Sequence, residues 1–505
     1  MKTKSRREAL KLLSAGAAAL AAPALAEGAP PLRVRRINDF RSFDPPLISN
    51  VEDEAITASI MAPLLRNKPT GNGLAGGLEA HLVTSWGRGG DRKTYTFEIR
   101  DTENWKKLGG PIMSSDVAFS FGRLATSKTW GLTFSRTFDS VRVIDARRFE
   151  VRLRVDDPAF PTLFLPRGIA SVTPNASVTP AFDFRLSPPD HSGSFMIRDL
   201  VPGRSLLLER NRAWAGDPPK LDQVEFIVIP DEKVAQGARD RKEIDVMLLD
   251  RQTLLMSGAS APSGWRSSQA TTGRVPYLVL FPNSKSLQSL EARRGVQLAI
   301  DKADLARAVY SEYGARRTET FAVAGWLWPG PENALKGRRA DAVSLLRGVG
   351  TATLQLGVLP LRPEDTAALM ETAAFVAKSL KEFGVSVQFG PIDPQRFFSG
   401  EGPKILPELD MLLTSASVWD IGILGTLLRF ASWHSIGSPA IEKQLGAAVE
   451  APSRDALSSI EATLVDMGAL LTLVEENAVW SHREEVSPVF GPHGGVVDLG
   501  AWAVG

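Results

Sequence analysis

Residues 353–389 read TLQLGVLPLRPEDTAALMETAAFVAKSLKEFGVSVQF, and the period of the apolar residues changes twice along them. From Thr353 to Leu359 the alternation sets Leu354, Leu356 and Val358 on one side, the two-residue period of a strand. Leu369, Ala373, Val376, Leu380 and Phe383 then fall at offsets 0, 4, 7, 11 and 14, which trace one face of an α-helix. Glu364 and Asp365 are expected in its first turn behind Pro363, with Lys378 and Lys381 near its end and Gly384 just past it, the order that capping and the helix dipole favour. Val385, Val387 and Phe389 open a second strand. Strand, helix and strand on short connections form a βαβ unit, so this lobe should hold a mostly parallel sheet with a right-handed crossover.

On the N-terminal side the signals are those of strands. Phe149, Val151, Leu153 and Val155 face one way, and Glu150, Arg152 and Arg154 the other, as in a half-buried strand. Residues 194–200 and 205–210 flank Pro202-Gly203 and read as a hairpin, and residues 224–229 supply another strand. On the C-terminal side a strand is expected over 409–414. The chain has no internal repeat and no low-complexity linker, and at 505 residues it is long enough for two or three α/β domains.

The first 26 residues read as a removable leader. Lys2, Lys4, Arg6, Arg7 and Lys11 stand against one acid, Glu8, ahead of an uncharged run from Leu12 to Ala22 that is too short to span a membrane. Ala24-Leu25-Ala26 has the small-x-small form of a cleavage site, which places the cut after Ala26. Ser5-Arg6-Arg7-Glu8-Ala9-Leu10-Lys11 resembles the twin-arginine signal of bacteria, with Ala9 where Phe is commonest; an ordinary secretory leader is the alternative. The expected destination is the periplasm. Loss of the leader takes the formal net charge from +2 to −2, because it removes five bases and one acid.

Composition excludes several classes of function. The 59 basic and 57 acidic residues nearly cancel, which leaves no global field for nucleic acid. With no cysteine there is no disulfide, thiolate metal site, thiol nucleophile or cysteine-linked lipid anchor. Gly71-Asn72-Gly73-Leu74-Ala75-Gly76 fits the spacing G-x-G-x-x-G, but Lys68-Pro69-Thr70 before it has the composition of a turn, so a surface loop is expected rather than a dinucleotide site. Neither a G-x-S-x-G elbow nor a phosphate-binding P-loop occurs. His81, His191, His434, His482 and His493 never stand four apart, and the adjacent acids Asp156-Asp157 and Glu475-Glu476 are expected on solvated surface. No cofactor, no metal and no enzymatic activity are expected.

A series of short motifs then recurs in a fixed order. Leu32 to Val34 precede Ser42-Phe43-Asp44-Pro45. Leu82, Ser85-Trp86, Tyr95-Thr96-Phe97, Ile99-Arg100, Trp105 and Ser115-Asp116-Val117-Ala118-Phe119-Ser120 follow. Further on come Ser192-Gly193-Ser194-Phe195, Leu208-Glu209-Arg210-Asn211, Trp214, Pro219-Lys220-Leu221-Asp222, Ile229-Pro230-Asp231 and Glu243-Ile244-Asp245. Arg293 with Ala299-Ile300-Asp301-Lys302, and a closing Val497-Asp498-Leu499-Gly500-Ala501-Trp502, complete the series. In this order the motifs resemble the extracytoplasmic solute-binding proteins of the dipeptide and oligopeptide class, family 5, which serve ATP-binding cassette importers. The chain departs from the pattern at Leu108-Gly109-Gly110-Pro111, in the serines of the 192–195 turn, and at Ala416-Ser417-Val418-Trp419-Asp420-Ile421-Gly422. At that last site many peptide-binding members carry Trp-x-Ala-Asp-Tyr-x-Asp-Pro, whose first Asp takes the peptide amino terminus.

The resemblance implies a two-lobed α/β periplasmic-binding-protein fold with three domains, the first discontinuous. Domain I would comprise 27–64, 184–274 and 476–505, domain II the insert 65–183, and domain III 275–475. The ligand, a peptide or another small molecule, would lie between the lobes, and closure would present a surface to the inner-membrane permease. The protein is expected to be a monomer. Phe281, Trp326, Trp328 and Trp419 are the candidate cleft walls, each with a core or interface role as its alternative. Asp420 is the candidate anchor for a ligand cation, or the N-cap of a helix over 421–430. A periplasmic adaptor or chaperone built on the same fold, and a secreted hydrolase, are the competing functions.

Overall fold

The computed structural model describes residues 30–69, 75–101, 110–135, 137–157, 160–175, 186–188, 190–214, 216–319, 338–350, 352–361, 365–397, 401–417, 441, 443–444, 454–490 and 499–505. They form three large cores and a smaller apolar cluster about Ala235, Ile244 and Leu254. The βαβ segment belongs to a five-stranded sheet in the order Ser386–Pro391, Thr353–Leu359, Met411–Ser417, Arg274–Leu280, Leu470–Thr472. The first three strands are parallel, Arg274–Leu280 runs against them, and Leu470–Thr472, antiparallel to Arg274–Leu280, runs with them again, so the sheet is mixed. Leu354, Leu356 and Val358 are buried as the alternation requires, together with Leu369, Ala373, Val376 and Leu380 of the helix Thr366–Lys381. Gly384 turns the chain out of that helix at φ 81°, a conformation that costs a side chain dearly and glycine little. The helix starts later than its sequence suggests, so Asp365 precedes it and its carboxylate serves a tertiary contact.

The second core lies in an eight-stranded sheet built from distant parts of the chain. The order is Trp265–Thr271, Val474–Arg483, Val246–Leu248, Leu32–Arg36, Gln223–Val228, Ser205–Arg210, Phe195–Val201, with Ala315–Arg317 also paired to Val474–Arg483. Leu32–Arg36 is central and runs parallel to both Gln223–Val228 and Val246–Leu248. The expected hairpin is present, with Gly203 at φ 73° in its turn. Against this sheet pack Phe43, Ile56, Met61 and Trp502, in one core with the sheet's own Trp480. A short strand over Ala503–Val504 pairs with Val486–Ser487, and just before it Trp502 of the closing motif is a buried side chain whose indole N–H donates to the Val489 carbonyl at 2.7 Å.

The third core is that of a small antiparallel sheet, Val83–Arg88, Thr94–Ile99, Arg148–Leu153, Phe138–Val143, covered by the helix Ser114–Ala125. Its aromatics stack in layers, Phe97 on Phe149 at 5.2 Å and Phe134 on Phe138 at 4.6 Å between ring centroids. Asp116 caps the helix by accepting from the Met113 amide at 2.9 Å. Arg123 of the same helix holds both oxygens of Asp44 at 2.9 and 2.8 Å, tying the Asp-Pro turn of the N-terminal segment to the insert.

Two expectations change at this level. A strand, Leu65–Pro69, does precede the glycine motif, and its partner Ala75–Ala80 begins within it; residues 71–74 lie outside the described residues. The third glycine therefore enters a strand and not the N-terminus of a helix, which removes the anion site a dinucleotide needs. The adjacent acid pairs are not solvated surface either. Asp157 and Glu475 are each 2% exposed; for the second pair the cause is the strand Val474–Arg483, in which consecutive residues face opposite ways and one of the two must turn inward.

Candidate functional site

The two larger sheets are joined by two neighbouring chain crossings. Trp265–Thr271 passes through Thr272-Gly273 into Arg274–Leu280, and Leu470–Thr472 passes through Leu473 into Val474–Arg483. The crossings are stitched together: the amide and hydroxyl of Thr272 both donate to the Glu476 carbonyl, at 3.0 and 2.9 Å, and the Leu473 amide donates to the Pro276 carbonyl at 3.0 Å. Gly273 stands at φ 66° in the first crossing. Two connections side by side leave the lobes one principal freedom, rotation about the pair.

Toward these crossings the parallel strands of both sheets present their C-terminal ends, which is where open α/β sheets bind ligands. In the first lobe the ends are pinned by two buried arginines. Arg35 donates to the carbonyls of Ile229 at 3.0 Å and Leu248 at 3.2 Å and pairs with Glu232. Arg36, on the opposite face, donates to Asp53 at 2.6 Å. Asp53 also accepts from the amides of Arg41 and Ser42, which fixes the loop after the strand. Burial pushes the neighbouring Glu52 carboxyl above its ordinary value, against the lowering pull of Arg36.

In the second lobe the same edge holds Arg274, Asp365 and Ser415. Arg274 Nη1 donates to Asp365 Oδ1 at 2.7 Å, and Ser415 Oγ donates to Asp365 Oδ2 at 3.0 Å. The Arg274 guanidinium also lies 3.5 Å from Glu476, across the crossing. Glu475, one residue earlier, faces the other way, where Arg316 Nε donates to it at 2.7 Å and the Thr271 hydroxyl also bonds it. Thr414 Oγ1 donates to the Leu359 carbonyl at 2.7 Å and ties the ends of two adjacent parallel strands. The edge is thus a preorganised lattice of guanidinium and carboxylate groups, suited to holding polar ligand groups in place.

Residues 77–420 match the family described as bacterial extracellular solute-binding proteins, family 5 Middle. The chain belongs to this family. It is 25% identical over 433 residues to the probable peptide ABC transporter periplasmic-binding protein y4tO of Sinorhizobium fredii, covering 77% of both chains. Its fold is similar to that of HbpA2 from Haemophilus parasuis, with a TM-score of 0.77 at 14% identity, covering 94% of this chain and all of that one. It is also similar to NikA from Brucella suis in complex with Fe(III)-EDTA, with a TM-score of 0.75 at 17% identity and coverage of 94% and 100%. As a family 5 solute-binding protein it has the two-lobed α/β architecture its motifs imply, and its place of work is outside the cytoplasm. Among the described residues no helix is long and apolar enough to cross a membrane, and no group of three or more His, Asp or Glu could hold a metal ion.

Of the candidate site residues, this family 5 protein's structure places one. Phe281 is 4% exposed and directly follows Arg274–Leu280, with its amide on the Asp410 carbonyl at 3.0 Å. It stands seven residues from Arg274, about 20 Å away along an extended strand, at the end of the sheet remote from the crossings. Trp326, Trp328, Trp419 and Asp420 lie outside the described residues. Arg274, Asp365, Ser415 and Glu476 are what sequence reading missed. The available signal was their position: Asp365 opens a helix behind a parallel strand, and Ser415 sits near a strand's C-terminal end.

A second concavity, of about 160 Å³, lies at the seam of the insert and the first lobe, lined by Arg66, His81, Arg100, Trp214 and Asp217. The His81 ring is 4.8 Å from that of Trp214 between centroids. Burial, with the charges of Arg66 and Arg100, brings the His81 imidazole down to about 3, so it is neutral across the physiological range. Arg66 is held by Glu79 and Asp217, at 2.5 and 2.8 Å, and this cluster fastens the seam.

Proposed function

We propose that this protein is the periplasmic receptor of an ATP-binding cassette importer, capturing a peptide-like or other small solute between its lobes and handing it to the inner-membrane permease. The observation that carries the reading is the paired crossings at 271–274 and 472–474, toward which the C-terminal strand ends of both sheets point. That arrangement builds a cleft and a hinge from the same residues, as capture by closure needs. The peptide class is supported by the relative from Sinorhizobium fredii. A wider range is supported by the metal chelate held by the like-folded protein from Brucella suis.

In this reading the leader is removed after Ala26, by the twin-arginine route, and the mature protein works as a monomer. Residues 27–64, 184–274 and 476–505 form domain I, 65–183 domain II and 275–475 domain III; the three separate cores support this division. Trp419 and Asp420 follow Ser417, at the cleft end of its strand, by two and three residues, and with Trp326 and Trp328 are the proposed ligand contacts. Phe281 is not among them, since it is buried at the other end of the sheet. The deciding experiment is mass spectrometry of ligand released by denaturing protein purified from its native periplasm. A stoichiometric small solute that rebinds the refolded chain is the expected result, and repeated recovery of none would overturn the reading.

A further inference from the structure

One side chain of the first lobe gives three hydrogen bonds to the second. The helix Arg251–Ser257 follows the strand Val246–Leu248, is capped by Asp250, and buries Leu254 against Ala235, Ala238 and Val479 of the first lobe. From its first position the Arg251 guanidinium reaches across. Nη1 and Nη2 donate to Glu371 at 2.6 and 2.7 Å as a bidentate fork, and Nη1 donates again to the Val309 carbonyl at 2.8 Å. Both acceptors belong to the second lobe, Glu371 on the helix Thr366–Lys381 and Val309 in the π turn Ala306–Tyr310. Single π turns are uncommon and concentrate at functional positions.

The acceptors are themselves held in register. Tyr310, next to Val309, is buried and shares a hydrogen bond of 3.0 Å with Thr372, next to Glu371. The spacing of carbonyl and carboxylate is therefore fixed before the guanidinium arrives. This differs from the tie between Arg274 and Glu476, which lies on the crossings and can survive rotation about them. Arg251 lies beside the crossings, on the helix Arg251–Ser257, so a rotation that carries the helix Thr366–Lys381 away from that helix would break its fork on Glu371.

We propose that Arg251, seated on Glu371 and Val309, is a clasp that sets the resting orientation of the lobes and thereby regulates solute access to the cleft. The proposal rests on the solute-binding reading for its purpose, but not for its physics. A planar fork on a preformed acceptor pair has one geometry, so it favours one lobe orientation over a continuum. Its attraction falls with ionic strength, because Glu371 is half exposed.

The chain contains no cysteine, so a label can be placed on each lobe without background reactivity. Val234→Cys in the first lobe and Val343→Cys in the second use exposed positions, 56% and 55% accessible. Spin-label distances would be measured on the mature protein without added solute. The unaltered clasp should give one dominant distance. Arg251→Ala and Glu371→Gln should each move the distribution to a second maximum, and the double variant should match either single one, since both remove the same contact. Raising the salt to about 1 M should move the unaltered protein the same way. Glu371→Gln keeps the size of an exposed side chain and should fold even where Arg251→Ala does not. Unchanged distributions in the variants that melt normally would overturn the clasp. Recovery of no solute would overturn the receptor reading alone, because these distances need no ligand.

Discussion

Asp365 and Arg274, 91 residues apart in sequence, meet at 2.7 Å where the second lobe's sheet reaches the crossings. Asp365 is 4% exposed and its other oxygen is taken by Ser415, so its charge is matched within a nearly dry site. Asp365→Ala should lower stability by about 1.5–3 kcal/mol in urea unfolding, the range for a lost hydrogen bond to a charged group. Asp365→Asn, which keeps the bond to Ser415, should cost less. Equal stability of Asp365→Ala and the unaltered protein would show that solvent already screens the pair.

The acid limb of stability should involve Asp245. Burial pushes its carboxyl up, but donation from the Arg33 side chain and amide, and from Arg483, outweighs burial and leaves it below its ordinary value. A carboxyl depressed on folding stabilises the protein above its unfolded pKa, and that stabilisation disappears as pH falls through the folded value. Asp245→Asn should therefore lose stability at pH 7 and show a flatter decline between about pH 5 and pH 2. A parallel decline in variant and parent would rule Asp245 out as a contributor.

Asp420 separates charge from capping by a single atom exchange. Asn caps a helix about as well as Asp, so Asp420→Asn should leave the melting temperature in place. If the carboxylate anchors a ligand cation, affinity for the native solute, once released and identified, should fall about tenfold or more, in line with the about 1.5–3 kcal/mol of a charged hydrogen bond. Unaltered affinity would assign the residue to the helix end.

Export should follow the leader. N-terminal sequencing of periplasmic protein is expected to begin at Glu27, and Arg6→Lys with Arg7→Lys should block export if the route is twin-arginine. Continued export of the double variant would assign the leader to the general secretory route.

What could be read locally was read from the chain itself. The strand at 353–359, the helix behind it and the glycine that ends it follow from period and capping, which depend on residues a few positions apart. The hairpin about Gly203 is legible for the same reason. Family membership was legible too, because ordered motifs survive where overall identity is low.

The site was not. Asp365 looks like a first-turn acid, yet its charge goes to an arginine that opens a strand of the same sheet. Glu475 and Glu476 look like one solvated pair, but the pleat of Val474–Arg483 sends one to Arg316 and leaves the other near Arg274. Arg251 is an ordinary first helical residue until a second lobe sets Glu371 and Val309 before it. Patterns of hydrophobicity fix which face of an element is buried, whereas the partner of a charge depends on which elements the sheets bring together. Only the tertiary structure decided that, through pairings between residues dozens to hundreds of positions apart.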